Sequence, residues 1–173
     1  MSDSAASDII GFHHPGLVVP DLDGARAFYA RAFGFEYIRS YGWGSESSDT
    51  AEKVIGVADS TTRSMLMKCG NCFLELFQFD SPASRGNPSE RRACDFGVAH
   101  IAFQVSNIER VFDRFIAAGG SSGNRPVRIG EGKSIYARDP FGNIIELMEI
   151  GSDEPDFDLK ACNMLPTPHT TAG

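Results

Sequence analysis

Glu75 lies in the run Cys72-Phe73-Leu74-Glu75-Leu76-Phe77-Gln78-Phe79, where strand alternation puts it on one face with Phe73, Phe77 and Phe79. A carboxylate in a row of phenylalanines is costly unless a partner such as a cation compensates it. The run Ile144-Ile145-Glu146-Leu147-Met148-Glu149-Ile150 repeats the pattern, with Glu146 beside Ile144, Met148 and Ile150. Two histidines complete a donor set. His14 shares a strand face with Phe12, Gly16 and Val18, and His100 shares one with Val98, Ala102 and Gln104. Two imidazoles and two carboxylates suit one divalent ion of borderline-to-hard character, among Ni, Co, Zn, Mn and Fe(II). On an octahedral ion four protein ligands leave two adjacent positions for a bidentate oxygen ligand. His13 faces the other way by alternation and reads as an ordinary surface residue, as does His169 near the end of the chain.

The elements that must carry these residues occur twice. With His14 placed over His100, the segment His14-Pro15-Gly16-Leu17-Val18-Val19 matches His100-Ile101-Ala102-Phe103-Gln104-Val105. Each is followed by an Asx residue suited to a helix N-cap, Asp21 or Asn107. Apolar residues then recur at helical spacing: Leu22, Ala25, Phe28, Tyr29, Ala32 and Phe33, against Ile108, Val111, Phe112, Phe115 and Ile116. Gly34 and Gly119 close the two helices. Each copy continues through strands to its glutamate, so the unit is strand, helix and about three strands, twice. If the copies pack about a pseudo-two-fold axis, two His and two Glu can converge.

The two copies occupy residues 10–80 and 95–150, joined by a linker at 81–94 rich in Ser, Pro and Arg. Residues 1–9 and 151–173 lack periodicity and read as frayed tails, with Phe157, Leu159 and Leu165 available to pack on a partner. The first copy is longer, and its excess lies in 41–63, with a short helix predicted over 50–57. A connection of that length suggests a substrate-facing segment, with Trp43 as its aromatic contact. Cys69-Gly70-Asn71-Cys72 is formally CxxC, but Gly-Asn reads as a hairpin turn and no second CxxC completes a zinc site.

With 16 basic and 23 acidic residues the net charge is −7, which argues against nucleic acid and anionic membrane surfaces. No apolar run approaches the roughly 20 residues of a transmembrane helix. The first residues have neither the basic start nor the apolar centre of a signal peptide, and the cytoplasm is the expected compartment.

The chain resembles the vicinal-oxygen-chelate superfamily, which includes glyoxalase I, methylmalonyl-CoA epimerase, extradiol dioxygenases, fosfomycin-resistance enzymes and bleomycin-binding proteins. The resemblance rests on 14–23 with Ala27-Phe28-Tyr29, on Phe73-Leu74-Glu75-Leu76, on 98–103, and on Asp139-Pro140-Phe141-Gly142-Asn143-Ile144-Ile145-Glu146-Leu147. It spans about residues 10 to 150. It implies an α+β fold of two tandem βαβββ modules forming a cupped mixed sheet around one divalent metal, with ligands at His14, Glu75, His100 and Glu146. It also implies a homodimer, as does the pairing tendency of open sheet edges.

The chemistry implied is proton transfer next to a carbonyl by an isomerase or lyase, through a metal-bound enolate or enediolate. Glu75 or Glu146 would be the base, acting on a small-molecule carbonyl substrate. A fourth protein ligand crowds a site for O₂, so an Fe(II) extradiol-type dioxygenase ranks second. A non-catalytic binding or resistance protein ranks third. Familiar glyoxalase I carries arginine four residues after its first histidine and asparagine four after its first glutamate; here these are Val18 and Phe79, a departure from glutathione chemistry. Epimerases commonly carry glutamine where this chain has Glu75. Gln104, on the row of His100, and Tyr136 and Arg138, on the strand before Asp139, are the polar residues expected to touch substrate.

Overall fold

The computed structural model of the protein describes residues 10–161. Cys162, Leu165 and His169 lie outside the described residues. The first module runs β1 (Gly16–Val18), α1 (Leu22–Phe33), β2 (Glu36–Trp43), α2 (Ser48–Ile55), β3 (Thr61–Cys69) and β4 (Cys72–Ser81). The second runs β5 (Ile101–Gln104), α3 (Ile108–Ala117), β6 (Val127–Ile129), β7 (Gly132–Arg138) and β8 (Ile144–Glu149). The fold is α+β, with two four-stranded mixed sheets ordered β1-β4-β3-β2 and β5-β8-β7-β6. The sheets are separate, each with its first strand parallel to its last. No described helix is long and apolar enough to cross a membrane.

Local chemistry sets the helix ends. The Asp21 side chain accepts from the Gly24 amide at 3.0 Å, and Asn107 accepts from the Arg110 amide at 2.9 Å. Gly34 ends α1 in the left-handed region at φ 78°, where glycine meets no Cβ clash. Ala118, still right-handed, caps α3, and the left-handed turn follows at Gly119 with φ 115°. The helix predicted at 50–57 starts and stops two residues earlier, because Gly56 turns left-handed at φ 70° and ends it.

Side-chain caps repeat as well. The Leu22 amide donates to Gln78 Oε1 at 2.9 Å, and the Ile108 amide donates to Glu149 Oε2 at 2.6 Å. Gln78 and Glu149 each stand three residues after their module's part-buried glutamate. The last strand of each module thus anchors the start of its helix.

Each helix buries its apolar stripe on one face of its own sheet, against Met65, Met67, Leu74 and Leu76 in the first module and Ala137, Ile145 and Leu147 in the second. Helix on helix then joins the modules. Phe28 meets Phe115 edge-on at 5.3 Å, and Phe33 stacks on Phe103 of β5 at 4.4 Å. Arg31 donates to the Ala118 carbonyl at 3.3 Å, and Arg114 returns a bond to the Ala32 carbonyl at 2.7 Å. The buried Asp139 carboxylate accepts from the Tyr29 hydroxyl, the Asn143 amide side chain and the backbone amides of Phe141 and Asn143, at 2.8–2.9 Å. The Asp-Pro-Phe-Gly-Asn turn is therefore a latch on the other module's helix.

Because Leu74 and Leu76 face the helix, alternation turns Glu75 to the opposite, open face of the first sheet; Ile145 and Leu147 do the same for Glu146. The Cys69–Cys72 segment is the expected hairpin, with Cys69 paired to Cys72 and Gly70 at φ 55°. Both thiols are free, and burial raises their pKa, the opposite of what a reactive CxxC needs.

Candidate metal centre

His14 and Glu75 meet in the first module. Gly16, two residues after His14, is in parallel register with Glu75, so the histidine reaches back over the glutamate. His14 Nε2 stands 3.0 Å from Glu75 Oε2. On the far side of the ring, His14 Nδ1 is 2.6 Å from His13 Nδ1, and the His13 ring stacks on Phe73 at 4.7 Å with 6° between the planes. His13 does not point away as alternation predicted, because β1 begins only at Gly16 and residues 10–15 are not in a strand. The cross-strand neighbours of Glu75 are Gly16 and Leu66, and its Oε1 has no hydrogen-bond partner among the described residues.

His100 and Glu146 meet in the same way. Ala102, two residues after His100, is in register with Glu146, and His100 Nε2 stands 3.0 Å from Glu146 Oε2. This pair has more polar company. Ser134 donates to Glu146 Oε1 at 2.8 Å, and the Tyr136 hydroxyl lies 3.4 Å from His100 Nε2. Partial burial first, and then the charge of Glu146, push the Tyr136 phenol above its ordinary pKa, so its hydroxyl keeps its proton. His100 Nδ1 is buried without a partner among the described residues.

All four predicted donors therefore lie on the open faces, assembled as two pairs. Among the described residues no three His, Cys, Asp or Glu side chains come together closely enough to hold an ion. What joins the modules is their helix faces, which leaves each sheet with half of the set. The two histidines do line one cavity of about 530 Å³, together with Phe12, Val98 and Arg91. The donors fit a divalent ion. Imidazole nitrogen and carboxylate oxygen are the donors that such ions take, and each pair sets one of each 3.0 Å apart on an open face.

The four residues expected to touch substrate divide. Tyr136 stands at the second pair, as described. Trp43 belongs to an aromatic wall beyond the first pair. Its ring meets Phe77 at 6.4 Å and Phe79 at 6.2 Å, and its Nε1–H donates to Ser60 at 2.9 Å. Gln104 is taken by the chain itself. Its amide donates to Asp158 Oδ1 at 2.6 Å, and its Oε1 accepts from the Leu159 amide at 2.9 Å. These bonds tie down part of the stretch read as a frayed tail, as does Asp153, which accepts from the Glu131 amide at 3.3 Å. Arg138 is also engaged. Its guanidinium donates to the carbonyls of Pro88 at 3.1 Å and Gly142 at 2.6 Å, and to that of Arg91, so it clamps the linker and is not open to an anion.

Two residues at the site escaped the sequence reading, His13 and Ser134. Ser134 had a signal, since it precedes Tyr136 by two on the same strand row. His13 had none, because the irregular backbone that turns it toward His14 follows from no periodicity.

The fold has many solved relatives. A glyoxalase family protein from Bacillus cereus is 19% identical, with 86% of this chain and 97% of that one covered at a TM-score of 0.74. A glyoxalase family protein from Enterococcus faecalis is 24% identical, with 82% and 99% covered at 0.58. The fosfomycin resistance protein FosX from Listeria monocytogenes, complexed with Mn(II) and sulfate ion, is 22% identical, with 84% and 97% covered at 0.53. At these identities the likeness is one of fold. Among curated proteins none matches the chain significantly. The sequence itself matches the model of the glyoxalase/bleomycin resistance protein/dioxygenase superfamily over residues 11–147, a span that holds both His–Glu pairs. With the doubled module and its two equivalent pairs, that match places the chain in the glyoxalase/bleomycin resistance protein/dioxygenase superfamily.

Proposed function

We propose that the protein is a divalent-metal-dependent isomerase or lyase that moves a proton at the carbon next to a carbonyl, and that two copies of the chain complete each site. The observation that carries this reading is the pair of His–carboxylate contacts of 3.0 Å at equivalent register positions of the two modules. FosX, one of the similar folds, was crystallised with Mn(II), which supports an ion of this class.

His14, Glu75, His100 and Glu146 would hold the ion. When bound, it would polarise the carbonyl oxygen and stabilise the negative charge developing there. The chain's own groups supply the rest. Both carboxylate oxygens of Glu146 are engaged, by Ser134 and His100, which makes Glu146 the anchored ligand. Oε1 of Glu75 has no such bond and is the oxygen placed to take the proton and return it. The Tyr136 hydroxyl, kept protonated, can donate to a substrate oxygen beside the second pair. The aromatic wall of Trp43, Phe77 and Phe79 offers an apolar surface for the rest of the substrate.

A second copy is supported by the segments leading to the two histidines. Ile10 and Phe12 precede His14, Phe96 and Val98 precede His100, and all four are highly exposed in the single chain. Apolar side chains beside a half-complete site mark a surface for a partner. His14 and Glu75 of one copy would then face His100 and Glu146 of the other.

Proton exchange into deuterated water, followed by NMR over a panel of α-carbonyl compounds with Mn(II), Co(II), Ni(II) or Zn(II), tests the chemistry. Glu75→Gln is expected to keep the ion with weakened affinity and to abolish exchange. Catechol cleavage with O₂ uptake, or a wild-type protein that takes up none of these ions, would overturn the reading. Co-expression of His14→Ala with His100→Ala tests the assembly. Shared sites would recover about a quarter of wild-type exchange, one intact site in each mixed dimer; sites within one chain would recover none.

A further inference from the structure

Position 13 is where the two half-sites part company. The register of the repeat puts His13 opposite Ala99, each directly before its module's histidine. Accordingly His14 Nδ1 has a partner, His13 Nδ1 at 2.6 Å, whereas His100 Nδ1 is buried with none among the described residues. His13 is itself oriented, because its ring lies flat on Phe73 at 4.7 Å, two residues before Glu75 on the same strand face. The two imidazoles stand edge to face, at 83°.

We infer that His13 is a positioning residue for His14, an inference that rests on the reading of the His–Glu pairs as holders of a divalent ion. An imidazole binds an ion through a nitrogen lone pair, so its other nitrogen carries the proton and needs an acceptor to fix tautomer and ring angle. With Nε2 of His14 given to the ion, the proton sits on Nδ1 and His13 Nδ1 would accept it. Phe73 holds His13 in plane for that bond. The aromatic row around Glu75 thus gains a second role, supporting the histidine's orientation as well as lining the face.

The stack and the hydrogen bond can be separated. His13→Phe keeps a ring on Phe73 and removes the acceptor. His13→Asn places an amide oxygen near the position of Nδ1 and restores it. Co(II) affinity of the full chain, measured by titration calorimetry and by the visible spectrum of the bound ion, is expected to fall about 10- to 100-fold in His13→Phe. It should recover largely in His13→Asn, with the thermal midpoint of both variants near the wild-type value. Wild-type affinity in His13→Phe would overturn the role of His13 and leave the functional reading standing. A wild-type chain that binds no Co(II) would overturn both.

Discussion

Equivalent residues in the two half-sites keep different company. Ser134 on β7 and Ser64 on β3 hold matching places, each paired with the residue two beyond its module's glutamate. Ser134 donates to Glu146, whereas Ser64 is fully buried and donates to the Tyr41 carbonyl at 2.9 Å. The difference separates a group that holds a candidate ligand from one that holds the backbone. Ser134→Ala is expected to weaken Co(II) binding by about tenfold with little change in stability, because it frees one oxygen of an anchoring carboxylate. Ser64→Ala should leave ion affinity alone and cost about 0.5–1.5 kcal/mol, the net worth of the hydrogen bond that its buried hydroxyl makes. Titration calorimetry and urea unfolding of both variants check the contrast; equal loss of ion affinity in the two would count against it.

At the scale of elements, each module's final strand does two jobs with residues three apart. Glu75 and Glu146 turn to the open face, while Gln78 and Glu149 reach the first amide of their module's helix. The strand that carries the candidate ligand is thereby tied to the helix that fixes the sheet's other face. A carboxylate at a helix N-terminus binds through charge as well as a hydrogen bond, and a carboxamide through the hydrogen bond alone. Glu149→Ala is therefore expected to lower stability by about 1.5–3 kcal/mol, and Gln78→Ala by about 0.5–1.5 kcal/mol. Chemical denaturation at neutral pH measures both, and the order of the two losses is the informative part.

The whole molecule is held by its helix interface and by the buried contact between Tyr29 of one module and Asp139 of the other. Burial first, and then the charge and hydrogen bond of Asp139, raise the Tyr29 pKa well above the ordinary tyrosine value. The burial-raised thiols of Cys69 and Cys72 act in the same direction. For such groups the unfolded chain loses its protons first as pH rises, so their stabilisation is complete below the ordinary values and declines as pH climbs toward the folded ones. Urea midpoints of the wild type should therefore fall as pH passes about 10, the ordinary tyrosine value. Tyr29→Phe should start lower, by the lost buried bond, and fall less steeply. A variant whose decline parallels the wild type would show that Tyr29 does not carry the effect.

Much of the donor set could be read from the chain because it depends on short periods. Alternation alone separates Glu75 from Leu74 and Leu76, and the repeat pairs it with Glu146 and with the two histidines. The N-caps at Asp21 and Asn107 and the Gly-Asn hairpin follow from equally local chemistry. Tertiary structure decided what depends on distance along the chain. It spent Gln104 on Asp158 and Leu159, turned Arg138 to backbone carbonyls, and brought His13 against His14 where no strand imposes alternation. It also grouped the four donors as two pairs, because the helices' apolar stripes meet each other and leave the open faces apart. Periodicity specifies which face a side chain takes. Which groups stand opposite that face is set by packing between segments far apart in sequence.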